Sequence, residues 1–426
     1  MTSGIVQQFF NKRGRSIRAC VISLLAPLVW ACSDQSTETW LRHTIDDTYR
    51  GADGVDLRDI DQDDDLDAVV GWEESGLVIV YENPGVEMVK YLWPKVDVSG
   101  GLDMKKTEDA KFADLDADGQ IDAVISATEM HNFQLGIHWL NDIYSWRSAT
   151  AWQGTWIDPQ KKHPYLKVAV GQLDNKYGKD IVAGTKEKLV DGINYEGKLI
   201  WFASPEILGP ESSDLWKGEL VADIGWIYHI ELMDLDADGD NDVMISDRVD
   251  GLRWFENRLS SSAAWIEHVI GPNAGSFAIC RNVVTDSEWS VVTHSGNGPV
   301  IYSQSRSGEW RQQNLDITNE LPNGQPVLLF KGVACGDLNL DGRTDFAVSI
   351  SGQGHGVYAF VQEKDHWRIV LIAGTDKNNY FRGIKHDTLG LTDLDGDGDL
   401  DVVTTDENGG FFSSGLGVIW FENPEI

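Results

Sequence analysis

The sequence repeats a run of carboxylates at one fixed spacing, D-x-D-x-D-G-x-x-D. Its clearest copy is Asp393–Asp401, which reads Asp-Leu-Asp-Gly-Asp-Gly-Asp-Leu-Asp. Carboxylates at positions 1, 3, 5 and 9 can converge on one hard cation, and position 7 can add a backbone carbonyl. Glycine at position 6 permits the sharp turn that brings these ligands together. The pattern therefore predicts a Ca²⁺ site.

Five copies of this loop have the right spacing. The first has Asp64 where glycine is expected, and the fourth has Asn339 in place of the second aspartate. The predicted metal ligands are Asp59, Asp61, Asp63, Asp67, Asp114, Asp116, Asp118, Asp122, Asp234, Asp236, Asp238, Asp242, Asp337, Asn339, Asp341, Asp345, Asp393, Asp395, Asp397 and Asp401.

Two further units lie between these copies and have lost most of the acidic loop. Residues 168–183 keep two apolar runs and a final aspartate, but Lys176 and Lys179 argue against a metal there. Residues 277–293 keep apolar runs without any acidic loop. Five intact and two eroded copies give seven units in all.

The runs around each loop alternate apolar and polar residues and contain many β-branched and aromatic side chains, which is typical of strands. Each unit reads as four strands, but the last one stops after its third strand, at Trp420. An unmatched fourth strand, Trp40 to Ile45, precedes the first unit. We therefore predict an all-β fold, a seven-bladed β-propeller of four-stranded blades, closed by the N-terminal strand completing the last blade.

The repeated loops, set between strands, resemble the FG-GAP/VCBS repeat family over nearly all of residues 40–426. The resemblance implies a propeller, Ca²⁺ in the intact loops, and a metal loop joining the first and second strands of each blade. It implies no metal in the two eroded units.

If the metal loops occupy one face, the opposite face carries the connections between second and third strands and the segments leading into each first strand. These surround the central channel, where propellers usually bind ligands. Ligand-binding candidates on this face are Trp72, Glu129, Lys186, His294, His355 and Arg382. Catalytic candidates, chosen as acids, bases or charge neutralisers, are His131, His163, Tyr228, His229 and Arg248.

These residue types are compatible with three functions. The first is binding of a glycan or protein ligand at the channel. The second is a polysaccharide lyase acting on a uronate-containing glycan, since some ulvan lyases are seven-bladed propellers, and the chain is similar to them only in fold and in the mix of His, Tyr and Arg. The third is a purely structural surface protein.

The N-terminus reads as an export signal. A basic segment precedes an apolar run from Ala19 to Ala31, too short to span a bilayer, and Cys32 follows. We expect residues 1–32 to be a signal peptide of lipoprotein type, with an ordinary secretory signal as the alternative. Residues 33–39 would then be a polar tether, and residues 40–426 the propeller. The protein would be exported to the cell envelope or secreted, and would meet a membrane only through an N-terminal lipid anchor.

The net charge argues against one class of partner, and the cysteines leave two interpretations open. With 35 basic and 68 acidic residues the formal net charge is -33, which repels nucleic acid phosphates. We expect a monomer.

Beyond the signal, only Cys280 and Cys335 remain. An oxidising compartment would permit a disulfide between them, but two buried free thiols are the favoured interpretation.

Overall fold

The computed structural model describes residues 40–129, 133–157, 163–187, 196–260, 265–272, 274–284, 289–295, 298–305, 308–315, 329–351, 355–374, 385–407, 415–424 and 426. Within these ranges the chain forms 28 strands and three short 3-10 helices, Ile143–Ser145, Ala149–Ala151 and Pro210–Ser212. No helix among the described residues is long and apolar enough to cross a bilayer. The predicted signal and tether, residues 1–39, lie outside the described residues.

Seven four-stranded antiparallel sheets follow one another along the chain and form the blades of the propeller. Blade 1 contains β2 (Ala52–Arg58), β3 (Asp67–Trp72), β4 (Leu77–Tyr81) and β5 (Lys95–Asp97). Blade 2 contains β6 (Thr107–Ala113), β7 (Ala123–Thr128), β8 (Leu135–Leu140) and β9 (Trp152–Ile157). Blade 3 contains β10 (Tyr165–Gly171), β11 (Asp180–Thr185), β12 (Gly197–Phe202) and β13 (Gly218–Ile224).

The remaining blades repeat this order. Blade 4 contains β14 (Ile227–Met233), β15 (Asp242–Asp247), β16 (Gly251–Asn257) and β17 (Trp265–Gly271). Blade 5 contains β18 (Ala278–Arg281), β19 (Trp289–Ser295), β20 (Gly298–Gln304) and β21 (Trp310–Asn314). Blade 6 contains β22 (Phe330–Gly336), β23 (Asp345–Ile350), β24 (Gly356–Gln362) and β25 (Trp367–Ala373). Blade 7 contains β26 (His386–Thr392), β27 (Asp401–Asp406), β28 (Gly417–Glu422) and β1 (Leu41–Asp46).

The predicted closure is confirmed. The N-terminal strand β1 pairs antiparallel with β28, with Leu41 opposite Glu422 and His43 opposite Trp420. The imidazole of His43 stacks on the Trp420 indole at 4.3 Å and pairs with Glu422 at 2.7 Å. The first strand of the chain therefore completes the last blade, so that every blade of the ring has four strands.

The hydrophobic core is divided among the seven junctions between neighbouring blades. Each of the seven clusters of buried side chains draws on two adjacent blades: Trp139 of blade 2 and Phe202 of blade 3 share one, and Trp40 packs into the cluster between blades 6 and 7. Aromatic side chains near the ends of third strands, such as Trp420 and Phe360, are fully buried in these junctions. Burial of large aromatic side chains dominates the energetics of such interfaces.

The cysteine interpretation was wrong, because Cys280 and Cys335 form a disulfide with their Cα atoms 5.8 Å apart. Cys280 lies in β18 and Cys335 in β22, the first strands of blades 5 and 6. The first strands of neighbouring blades lie side by side around the channel, so residues 55 positions apart come within bonding distance.

We expect the Cys280→Ser/Cys335→Ser variant to lose about 4 kcal/mol of unfolding free energy, because the disulfide closes a long loop in the unfolded chain. Chemical denaturation of the oxidised and reduced wild type and of the variant measures this. Reduced wild type and variant should agree. Recovery of Cys280 and Cys335 as separately alkylated peptides without reduction would contradict the bond.

Candidate functional site

Every intact acidic loop joins the first strand of its blade to the second, as in the connection from β26 to β27. The loops therefore share one face of the ring, which we call the metal-loop face. Four of them bring three carboxylates within 4.8 Å of one another: Asp59, Asp61 and Asp67; Asp114, Asp116 and Asp122; Asp234, Asp236 and Asp242; and Asp393, Asp395 and Asp401. These clusters could hold a metal ion, since converging carboxylate oxygens are the ligands that hard cations prefer.

The five loops have the same backbone. In each, the first aspartate accepts a hydrogen bond from the N–H at position 6, at 3.1 Å from Asp64, 3.2 Å from Gly119 and 3.0 Å from Gly398. This position has a left-handed conformation, with φ of 95° at Gly119 and 101° at Gly398. Asp64 adopts the same region at 72°, at a cost of about 1 kcal/mol for a side chain with a Cβ atom.

The aspartate at position 9 ties the loop to the end of the third strand. Its two oxygens accept backbone N–H groups from both places, as Asp401 does from Leu394 and Asn423, each at 2.9 Å. Asp180 of blade 3 makes the equivalent bonds to Leu173 and Ser204 although its loop lacks most other carboxylates. This aspartate therefore has a structural role independent of any ion. Burial raises the pKa of Asp401 to about 7 and that of Asp180 to about 6.

The eroded loop of blade 3 replaces carboxylates with other groups. The Gln172 amide oxygen accepts N–H bonds from Asp174 and Asn175, and the second of these matches the bond from Gln62 to Asp59 in the first loop. The Lys176 ammonium lies 3.1 Å from the carboxylate of Asp174. The ammonium group of Lys176 thus neutralises the carboxylate of Asp174 in this loop.

A cavity of about 380 Å³ opens on the opposite face, which we call the mouth face. We call it the mouth cavity. Its walls come from several blades, and the lining residues are Asp53, Glu73, Glu108, Glu129, Lys186, Trp226, Tyr228, Arg248, Leu329, Lys331, Ser351 and Lys385.

A β-bulge near the start of the first strand, present in the described part of every blade except blade 5, directs one set of these side chains. The strand register shifts between Thr107 and Asp109, between Ile227 and His229, and between Phe330 and Gly332. The extra residues are Glu108, Tyr228 and Lys331, and all three line the mouth cavity. A bulge turns its extra side chain away from the regular alternation of the strand, which here points it at the mouth.

A second set follows directly after each second strand. Here a backbone N–H bonds to the carbonyl of the residue before the first strand: Glu129 to Lys106 at 3.0 Å, Lys186 to Pro164 at 2.9 Å, and Arg248 to Trp226 at 2.9 Å. Because the same bond recurs from blade to blade, it places the corresponding side chains at equivalent points around the mouth.

One wall of the cavity combines cations with aromatic rings. The Lys186 ammonium lies 4.3 Å from the centre of the Trp226 ring, and the Arg248 guanidinium lies 5.2 Å from it. The Tyr228 ring is stacked near the same indole, with centroids 6.2 Å apart. This wall can offer an aromatic surface and positive charge to one ligand.

Two pairs of carboxyl groups lie at the cavity, and one of them, Glu108 with Glu129, adjoins the cationic wall because Lys186 lies 2.5 Å from Glu129. Burial, with the nearby charges of Asp53 and Glu129, raises the pKa of Glu108 well above its usual range. Burial alone would raise the pKa of Glu129 as well, but hydrogen bonds from Glu108 and Lys186 lower it. Glu108 and Glu129 therefore share one proton.

Glu407 and Glu73 behave in the same way. Burial and Asp53 raise the pKa of Glu407 to about 9. The hydrogen bond from Glu407 and contact with Lys106 lower that of Glu73, against the effect of burial. The cavity lining thus holds four carboxyl groups, Asp53, Glu73, Glu108 and Glu129, and four basic side chains, Lys186, Arg248, Lys331 and Lys385.

The floor of the cavity is a buried ionic cluster. The Lys331 ammonium lies 3.0 Å from the Asp387 carboxylate. Burial alone would raise the pKa of Asp387, but Lys331 and the neighbouring ammonium groups lower it to about 2. Burial and the charge of Asp387 raise the pKa of Asp53 to about 7. Such a cluster fixes the position of Lys331 in the cavity wall.

The proton on Glu108 gives a testable pH dependence. A folded carboxyl with a raised pKa keeps its proton where the unfolded one releases it, so the contribution of Glu108 to stability falls as pH rises above about 4.5. Glu108→Gln keeps a donor toward Glu129 and cannot ionise. We expect this variant to match wild type at pH 4.5 and to become more stable than wild type by pH 8 in denaturation curves. Glu108→Ala, which removes the donor, should lose stability at both pH values; equal pH profiles for wild type and Glu108→Gln would contradict the shared proton.

The structure brings together some of the residues chosen from sequence. Glu129, Lys186, Tyr228 and Arg248 line the mouth cavity. His131 and Arg382 lie outside the described residues. His294 is buried with its ring 5.6 Å from Phe330, and His355 immediately precedes β24; neither lines the cavity.

Three further candidates make contacts elsewhere. Trp72 is fully buried, and its indole N–H donates to the Tyr81 hydroxyl at 2.9 Å. His163 pairs with Glu187 at 2.6 Å. His229 pairs with Glu231 at 2.9 Å and lines a separate cavity within the channel.

Sequence reasoning missed Glu108, Trp226, Lys331 and Lys385. A usable signal exists for the bulge residues, because each lies six positions before the first residue of its loop, as Glu108 lies before Asp114 and Lys331 before Asp337. Tyr228 obeys the same spacing before Asp234. Period-2 alternation alone does not show it, since a bulge interrupts the alternation.

No family model and no curated protein matches the chain. Among solved structures it is similar to BBS1N in complex with ARL6DN, at 10% identity and a TM-score of 0.48, covering 91% of this chain and 97% of the other. It is also similar to virginiamycin B lyase from Staphylococcus aureus, at 12% identity and 0.47, with 89% and 97% covered. A third is an Agrocybe aegerita lectin that recognises non-reducing terminal N-acetylglucosamine, at 14% identity and 0.37, with 83% and 75% covered. At such scores these similarities leave ligand and activity open.

Proposed function

We propose that the protein is an exported, calcium-stabilised β-propeller of the FG-GAP/VCBS type that binds an anionic glycan in the mouth cavity. The observation that carries this proposal is the Trp226 ring with Lys186 at 4.3 Å and Arg248 at 5.2 Å. An aromatic face suits the apolar side of a sugar ring, and the two cations, of which Lys186 also pairs with Glu129 at 2.5 Å, suit its acidic substituent. The cavity lining matches four basic side chains with four carboxyl groups, in a chain with net charge -33.

Calcium has a structural role in this proposal. Without an ion, four of the five intact loops hold three carboxylates close together, and burial raises the pKa of the ninth residue, as at Asp242, where it reaches about 7. A divalent cation offsets this repulsion and fixes the turn between the first and second strands. The recurrence of the loop around the ring favours a role in architecture over one in recognition.

A panel of neutral and acidic oligosaccharides, titrated calorimetrically in calcium, tests the ligand class. We expect measurable affinity for acidic members and at least tenfold weaker affinity for neutral ones of the same length. The absence of binding to every glycan would overturn the proposal and leave a protein ligand or a structural role.

A lyase is the second candidate, because Tyr228, Arg248 and Lys331 line the same cavity. Burial raises the pKa of Tyr228, although Arg248 and Lys331 act against it, so its phenol keeps its proton at neutral pH. The phenol would protonate the leaving oxygen, while a cavity carboxylate, Glu73 or Glu129, would take the C5 proton. Arg248 and Lys331 could neutralise a uronate carboxylate during β-elimination. A rise in ultraviolet absorbance on mixing with uronate polymers would establish cleavage; binding without that rise would establish the binding module.

The predicted lipid anchor is part of the same proposal. Mass spectrometry of protein purified from the membrane fraction should find a lipid-modified Cys32 as its first residue. A soluble protein beginning at another position would show that the signal is an ordinary secretory one.

A further inference from the structure

The connections between third and fourth strands expose large apolar side chains in three consecutive blades. They comprise residues 82–94 in blade 1, 141–151 in blade 2 and 203–217 in blade 3. Their most exposed members are Tyr91 at 63%, Leu92 at 60%, Tyr144 at 93% and Ile207 at 65%. A soluble surface seldom gathers such side chains unless it meets a partner.

These connections all lie on the metal-loop face. The third strand of a blade runs antiparallel to the second, so it ends at the same face at which the acidic loop turns. Because blades 1 to 3 are neighbours in the ring, their exposed side chains form one arc, which we call the apolar arc. Met88 and Leu215 add to it, at 52% each.

The described chain starts at the metal-loop face, one blade before the arc. Leu41 pairs with Glu422 in blade 7, and Lys90 of the first connection lies 3.0 Å from the same Glu422. Lys90 also lies 2.9 Å from Asp395 of the last metal loop, and the backbone of Trp93 bonds to Ile45 of β1. Trp40, whose N–H donates to the Ile372 carbonyl of blade 6 at 3.4 Å, packs between blades 6 and 7, so the described chain begins at the metal-loop face, in the blade adjacent to blade 1.

We infer that the metal-loop face docks on a lipid bilayer, with the apolar arc in its interfacial layer. The inference rests on the proposed lipid anchor at Cys32, which is followed by only seven residues before Trp40. Such a tether reaches at most ~30 Å even when fully extended, which keeps this face close to the membrane. Tyrosine and aliphatic side chains at the tips of loops are suited to the boundary between headgroups and acyl chains.

Charge makes the docking dependent on calcium. Empty acidic loops would repel anionic headgroups, whereas loops filled with Ca²⁺ lose that repulsion and can share the ion with lipid phosphates. In this orientation the mouth cavity faces away from the bilayer, where a long glycan can enter it.

Sedimentation with vesicles of phosphatidylethanolamine and phosphatidylglycerol tests the inference without the anchor. The protein used would be residues 33–426, which contain every strand of the closed ring. We expect the wild type to bind in 1 mM Ca²⁺, a concentration on the order of that which saturates calcium sensors. Binding of Tyr91→Asp/Leu92→Asp should be at least tenfold weaker. The matched control is Ile266→Asp/Val269→Asp, on the exposed face of β17 in blade 4, which should bind like wild type.

Each outcome decides the question. No binding by wild type in calcium, or equal losses in both double variants, would overturn the docking surface. If Tyr91→Asp/Leu92→Asp unfolds by circular dichroism, Tyr144→Asp, whose side chain is almost fully exposed, provides the same test and should also weaken binding. Glycan titration of the same preparations measures binding at the mouth cavity independently of the vesicles. A protein that loses vesicle binding but keeps its glycan affinity would contradict the docking inference and not the proposed function.

Discussion

Removing calcium with EDTA will lower the melting temperature of the protein by about 15 °C at neutral pH. An ion bound only by the folded state contributes about 2.7 kcal/mol when its free concentration is 100 times Kd, so five sites together exceed 10 kcal/mol. For a chain of this size each kcal/mol corresponds to about 1–2 °C. Differential scanning calorimetry in 1 mM Ca²⁺, on the order of 100 times a sensor-like Kd, and in EDTA measures the shift.

Single-loop variants separate the metal effect from general destabilisation. Asp236→Ala removes a ligand from the loop of blade 4, and it should reduce the calcium-dependent shift by about one fifth if the sites contribute equally. Asp174→Ala, in the loop where Lys176 already neutralises the acid, should leave that shift unchanged. A melting temperature that is the same with and without EDTA would show that calcium does not stabilise the propeller.

Replacing Trp226 by alanine will weaken binding of an acidic oligosaccharide by about 30-fold, equivalent to about 2 kcal/mol. The substitution removes both the stacking surface and the ring against which Lys186 and Arg248 lie. Arg248→Gln should cause a similar loss for acidic sugars and little change for neutral ones, because it removes charge and keeps much of the side-chain length. Calorimetric titration gives both affinities.

The matched control for arginine is Arg311→Gln, in an exposed position of β21 on the outer strand of blade 5. It removes the same charge from a surface outside the mouth cavity and should bind like wild type. Equal losses in Arg311→Gln and Arg248→Gln would mean that net charge, rather than the mouth cavity, governs binding. Unchanged affinity in Trp226→Ala would exclude that ring as the platform.

The ring could be predicted because its signals are local and repeated. Each blade carries the same alternation of apolar residues, and the acidic loop marks the turn from first to second strand. The closure by β1 followed from a count of strands at the two ends of the chain, with Trp40 to Ile45 left over at one end and a strand missing after Trp420 at the other.

The mouth cavity was only partly predictable. Glu129, Lys186 and Arg248 follow directly after predicted strands, so their place could be deduced, whereas Glu108 and Lys331 reach the cavity through bulges. Trp72 looked like a loop residue but is the last residue of β3, where its ring is buried against Tyr49 and Tyr81. The disulfide depends on the lateral contact of β18 with β22, which no local pattern shows.

The central claim is that the mouth cavity, and not the metal-loop face, holds the ligand. A crystal structure of the protein with a bound acidic oligosaccharide tests this most directly. We predict a sugar ring on the Trp226 indole with its acidic group between Lys186 and Arg248. A sugar bound on the metal-loop face, with the mouth cavity empty, would contradict the account.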